Sequence, residues 1–275
     1  MTRHTPLTHH TAQRWAWLGA GVGLVWGLVS QAPAQWLAHA VADATQQRVL
    51  LQDAQGTLWQ GSAQAVLSAG PRTGGQASDG ITLPTRLTWQ LGPTLDWAHA
   101  RLVLRAQLAS ACCTTSPVQV DASPLWRGWR VQVSDHTSHW PAHWLVGLGA
   151  PWNTVQPEGQ MQLQTQQLVL TQQGAQPVWQ GQAELQLQQL ATRLTTLRPL
   201  GTYRVQLVGS GSDALAIELS TPEGALQLQG KGELKNGHVR FQGEASAAPE
   251  AQDALSNLLN VLGQRQGHKS LLKLG

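Results

Sequence analysis

The stretch Val178–Leu187, VWQGQAELQL, decides the fold. Drawn as a strand, it sends Trp179, Gly181, Ala183, Leu185 and Leu187 to one face and Gln180, Gln182, Glu184, Gln186 and Gln188 to the other. One face is dry and the other wet, the signature of a half-buried antiparallel strand. The phrase has two echoes, LWQGSAQAVL at Leu58–Leu67 and VRFQGEASA at Val239–Ala247, and both obey the same alternation. In each, an aromatic residue (Trp59, Trp179, Phe241) opens the apolar face. The glycine two places on (Gly61, Gly181, Gly243) leaves room for a ring or a backbone to lie across it.

Working outward, the same period of two recurs at Met161–Thr165, Tyr203–Leu207, Leu215–Leu219 and Leu226–Leu234. Thr221–Gly224 predicts a four-residue turn, and Asn236-Gly237 predicts a tight hairpin. The expected fold is mainly β, a curved antiparallel meander with an N-terminal transmembrane helix and a C-terminal amphipathic helix. That last helix is Pro249–Gly263, where Leu255, Leu258, Leu259 and Leu262 fall at helical spacing and Gly263 stops the run. A shorter helix is expected at Pro141–Leu148, a surface loop at Gly70–Gly80, and a seam between two sheet halves at 134–157.

At the N-terminus, Trp15–Val29 carries no charge, Arg3 and Arg14 precede it, and the first acid is Asp43. This pattern predicts a cytoplasmic tail at 1–14, a single transmembrane anchor at 15–34 and an exported β-rich domain at 35–275. Trp15, Trp17 and Trp36 fall near the two membrane interfaces, and Gly19, Gly23 and Gly27 form a small-residue ridge through which two anchors could pair as a homodimer. Ala32-Pro33-Ala34 has the form of a signal-peptidase site, so a cleaved leader is the alternative; it exports the same domain.

Composition narrows the function. Charged residues are only 12% of the chain, so uncharged polar side chains must wet the surface, and the scattered basic residues form no stripe for nucleic acid. Asp135, His136, His139 and His143, with Cys112 or Cys113, could approach one another. Pro141 interrupts the series, however, and no second cysteine pair completes a closed zinc set. Adjacent Cys112 and Cys113 cannot staple distant segments; they read as incidental thiols in a loop, with a redox switch as the other reading. Ser210 and Ser212 lie between alternating strands and lack the strand-to-helix elbow of a hydrolase serine. No catalytic residue, metal site or cofactor is expected.

Several phrases taken in order carry a resemblance: VLLQDAQGTLWQGSA at Val49–Ala63, LPTRLTWQL at Leu83–Leu91, GLGAPWNTVQPEGQ at Gly147–Gln160, PLGTYRVQL at Pro199–Leu207, GALQLQGKG at Gly224–Gly232 and AAPEAQDALSNLLNVLGQRQG near the end. Together they resemble the type II secretion system protein N (general secretion pathway protein N) family. The resemblance implies a bacterial inner-membrane protein with a periplasmic β domain, partnered by other type II secretion subunits and without enzyme activity. A periplasmic carrier of lipid or another hydrophobic ligand, similar to AsmA-like proteins, is the alternative.

Overall fold

In the computed structural model, residues 9–70, 80–97, 101–150, 152–174, 176–235 and 238–274 are described. The chain opens with helices α1 (His9–Ser30) and α2 (Ala34–Ala44). There follow β1 (Val49–Gly56), β2 (Gln60–Leu67), β3 (Ile81–Thr82), β4 (Leu87–Asp96), β5 (Arg101–Ser110), β6 (Val118–Leu125), β7 (Gly128–Val133) and β8 (His136–Pro141). A 3₁₀ turn at Ala142–Leu148 and the short helix α3 (Trp152–Val155) lead into β9 (Glu158–Gln173) and β10 (Pro177–Ala191). Then come β11 (Gly201–Ser212), β12 (Ala214–Gly224), β13 (Leu226–Lys235), β14 (His238–Ala247), helix α4 (Gln252–Leu262), β15 (Gln264–Gln266) and β16 (Lys269–Leu274).

The sixteen strands among the described residues make one antiparallel sheet that does not close on itself, running from β1 at one edge to β15 at the other. Each strand pairs with its chain neighbour almost throughout, because two-sided strands joined by short turns bury an apolar face most directly as a meander. Besides β2–β4 and β14–β16, which each skip a short strand, the departure is β9, which pairs with β8 through its first half and with β7 through its second. Within 134–157 lie β8, the 3₁₀ turn and α3, with β8 paired to β9.

Registry lines the apolar residues into rows across the sheet. Leu185 sits opposite Leu163 and Val205, and Val205 opposite Leu219. Leu187 sits opposite Met161 and Tyr203. Helix α4 lies over this region, its Leu255, Leu258 and Leu259 buried against Met161, Leu187, Tyr203, Leu226 and Ala245. Ser270 Oγ donates to the Leu259 carbonyl at 2.6 Å, tying the helix to β16. At the other end of the sheet, Ala34 and Leu37 of α2 pack on Ala63, Trp89, Leu91 and Leu108.

The wet face is organised by cross-strand pairs. Gln182 Nε2 donates to Gln166 Oε1 at 2.9 Å, Gln188 Nε2 to Gln162 Oε1 at 2.9 Å, and Gln206 Nε2 to Glu184 Oε2 at 3.0 Å. Arg105 grips Asp121 with two hydrogen bonds of 2.8 Å. The glutamines of the repeats therefore ladder across the sheet as well as facing water.

Tyr203, the chain's sole tyrosine, is fully buried, and its OH donates to the Leu226 carbonyl at 3.1 Å. Burial pushes the phenol well above its ordinary value. The folded chain keeps this proton where the unfolded chain loses it near pH 10, so the associated stability is full below that pH and falls away above it. The expected result is that phenolate absorbance stays absent through pH 10–11 and appears together with the loss of circular dichroism. Phenolate rising at pH 10 in folded protein would show an accessible ring.

Three expectations need correction. The anchor is not one continuous apolar helix over 15–34: α1 stops at Ser30 and Pro33 bridges to Thr57 at the β1–β2 turn. The uncharged run that remains within α1 rises only about 22 Å, against about 30 Å of bilayer hydrocarbon. No helix among the described residues is long and apolar enough to cross a membrane. The turn expected at Thr221–Gly224 arrives later, at Ala225, since Thr221–Gly224 continue β12. There the Thr221 hydroxyl exchanges hydrogen bonds with Leu228 N–H (2.7 Å) and C=O (2.8 Å), standing in for a backbone pair and carrying the strand on. Cys112 and Cys113 are joined as a disulfide rather than left as free thiols. Asn236-Gly237 and most of Gly70–Gly80 lie outside the described residues, although Lys235 and His238 flanking the former are paired.

Candidate functional site

The three repeat glycines each sit under a close approach. At Gly61 the space a Cβ would need holds the Trp89 ring and the Gln55 carbonyl. At Gly181, with φ +85°, it holds the backbone of Gln166 and Gln167. At Gly243 it holds the Gln229 carbonyl and the Phe241 ring, which also lies over Gly230 and Gly232 of the neighbouring strand. A cleft of about 790 Å³ opens beside this aromatic, lined also by Glu218, Lys231 and Lys273. Trp59 and Trp179 are half-buried near the starts of β2 and β10, and Phe241 is buried. Close approaches account for the three glycines and for the placing of the Phe241 ring.

The residues expected in the anchor lie on α1 and α2. Trp17 and Trp36 are exposed, on α1 and α2. Beyond their chain neighbours and the helix's own backbone, no described atom lies within 4 Å of a Cβ placed at Gly19, Gly23 or Gly27. Trp15 lies in α1, and its side chain is outside the described set. What sequence reasoning missed is how α1 is tied down: Trp59 Nε1 donates to the Val29 carbonyl at 2.7 Å, and the Leu58 N–H donates to the Ala32 carbonyl at 2.7 Å. Ala32 and Ala34, the small residues of the supposed cleavage site, are buried. The aromatic-Gln-Gly repeat was the available signal, because its first aromatic, Trp59, makes the tie.

The candidate metal residues do not converge. His136 and His139 both lie on β8, opposite Thr165 and Gln162, and residues three apart on a strand point to opposite faces. His143 belongs to the 3₁₀ turn beyond. No group of three or more His, Cys, Asp or Glu among the described residues could hold a metal ion. Asp135 instead accepts the Gln167 N–H at 2.6 Å, and Ser212 Oγ donates to the Ala214 carbonyl at 2.9 Å at the end of β11. Exposed Cys112 and buried Cys113 form the turn after β5, where the His139 N–H donates to the Cys113 carbonyl at 2.8 Å. The marked carboxylates are held low by neighbours in surface pairs: Glu158 by Arg193 and Arg198, Asp53 by Arg86 and Gln55, Glu244 by Lys269 and Gln229.

An open antiparallel sheet with a wet glutamine face, helices packed on its apolar face and an apolar helix pinned at one end defines the class, a mainly β protein. Within that class the match is specific: the model of the type II secretion system (T2SS), protein N family covers residues 47–271. The chain belongs to this family, which sets it in type II protein secretion as an accessory component. No curated protein and no solved structure matches it.

Proposed function

We propose that the protein is a non-enzymatic accessory of the type II secretion apparatus, held at the inner membrane by α1, with its sheet in the periplasm as a platform for other subunits. Family membership carries this reading, since the family is associated with the inner membrane and periplasm. The unclosed sheet supports it. Edges β1 and β16–β15 present backbone groups to which a partner strand can add. β1 is partly guarded: its ladder is interrupted between Gln52 and Gln55, and Asp53, with φ 50°, is paired to Arg86 at 2.7 Å. On the opposite edge β15 covers Lys269–Leu271 only, leaving Leu272–Leu274 as the more open rail.

Coverage of the apolar face by α4 supports a platform over a carrier, which would need a continuous trough there. Tagged full-length protein, extracted in mild detergent, is expected to bring down inner-membrane type II secretion subunits, and a Leu272→Pro variant to recover less of them. Recovery of the protein alone, under conditions where the other subunits still hold one another, would refute the platform.

A further inference from the structure

The sheet overhangs its own tether. β2 begins at Gln60, opposite Gln90, whereas β4 runs on through Leu91–Asp96. At about 3.4 Å per residue this carries Trp97, after β4, and Trp126, between β6 and β7, roughly 20 Å past the turn that pins α1. On the apolar face of the overhang, Leu95 pairs with Leu102, Leu104 with Pro93 and Ala122, and Trp129 with Pro124. Helix α2 covers the preceding rows, at Trp89, Leu91 and Leu108. Beyond them Leu102 is 62% exposed, and the tips end in Trp97, 85% exposed, and Trp126, 100% exposed. Arg127 stands at the β6–β7 tip itself, and Arg101 and Arg130 lie on the opposite, polar face of the overhang together with Asp96 and Asp121. The tips of β11–β12 and β13–β14, at the same end of the sheet, carry Ser212, Asp213, Lys235 and His238 instead.

We propose that this overhang is a lipid-docking shelf, seated in the headgroup layer of an anionic phospholipid membrane beside α1. The proposal rests on the reading of α1 as a membrane tether. Exposed indole on a hairpin tip is costly in water and favoured at a bilayer interface, where its apolar body and polar N–H are both satisfied. Arg127 at the tip adds attraction to phosphate headgroups. Continuity argues for lipid over another occupant. α1 is apolar on every side through Trp15–Val29, and its last turn is hydrogen-bonded to Trp59 at the root of the overhang. A membrane that takes up α1 therefore lies within reach of the shelf.

The test is photolabelling of the full chain in vesicles of phosphatidylcholine and phosphatidylglycerol that carry a diazirine on one acyl chain. Adducts are expected on α1 and also on Leu95–Trp97, Arg101–Leu104 and Leu125–Arg130. The double variant W97S/W126S, altered only at exposed positions, should lose shelf adducts about tenfold while α1 labelling stays unchanged. Adducts confined to α1, including the case where a second copy shields the shelf and dimers appear by mass, would leave the tether standing and refute the shelf. Adducts on neither would refute both. Shelf adducts that the double variant leaves unchanged would refute the role of the tips.

Discussion

Trp89→Ala is expected to lower the unfolding free energy by about 3–5 kcal/mol and to free the N-terminal helices from the sheet. Trp89 is 1% exposed, and its ring fills the space over Gly61 that a side chain would otherwise take. Its Nε1 donates to the Leu58 carbonyl at 3.1 Å, and the N–H of that same residue donates to Ala32. Ala34 and Leu37 of α2 use the ring as their floor. Truncation therefore opens a cavity under α2 and leaves the Leu58 carbonyl without its indole partner, two costs that add at one place. Urea unfolding reads the first effect, and faster proteolysis between Ser30 and Gln47 reads the second. Gly61→Val should be damaging alone and milder in the Trp89→Ala background, because the new side chain enters the vacated space. A stability loss under about 1 kcal/mol, or additive costs in that cycle, would show that ring and glycine do not interlock.

This contact also shows how far the sequence could be read. Period-two writing located the strands around Gly61, Gly181 and Gly243 and their dry faces, because alternation is a local property of the chain. The space above a repeat glycine was inferable for the same reason: a dry-face position that lacks a side chain in all three repeats leaves room for something else. Which ring fills Gly61 was not legible, since Trp89 lies on another strand and pairing is non-local. The overhang was hidden too, because it depends on β2 starting opposite Gln90, a registry that no single segment records. Helix α4 was visible from its leucine spacing, whereas the expected anchor ran on to Ala34, past the stop of α1 at Ser30. Nothing in its apolar composition reveals that Pro33 is claimed by the β1–β2 turn. Adjacent cysteines could be excluded as a staple, but their joining depends on the backbone of the turn after β5.

Gly181→Ala is the second large effect expected, a loss of roughly 2–5 kcal/mol, and it separates two physical causes. Gly181 adopts φ +85°, where an L side chain costs about 1–2 kcal/mol. Its new Cβ would also collide with the carbonyl oxygen of Gln167, adding about 1–3 kcal/mol of overpacking. Gly174, at the tip of the same hairpin, has φ +90° and nothing within 4 Å of a built Cβ, so Gly174→Ala should carry the backbone cost alone. The difference between the two variants measures the crossing of β9 over Gly181. That crossing is a bulge: Gln167 takes φ 48°, pairing skips from Gln166 to Val169, and Asp135 accepts the extra N–H. Here β9 exchanges β8 for β7 as its partner, so a collision at Gly181 should loosen the β8 side first. Hydrogen exchange over His136–Pro141 is expected to quicken in Gly181→Ala and not in Gly174→Ala. Equal losses in the two variants, with β8 protection unchanged, would mean that the glycine of the middle repeat serves backbone conformation only and that the bulge tolerates a side chain beneath it.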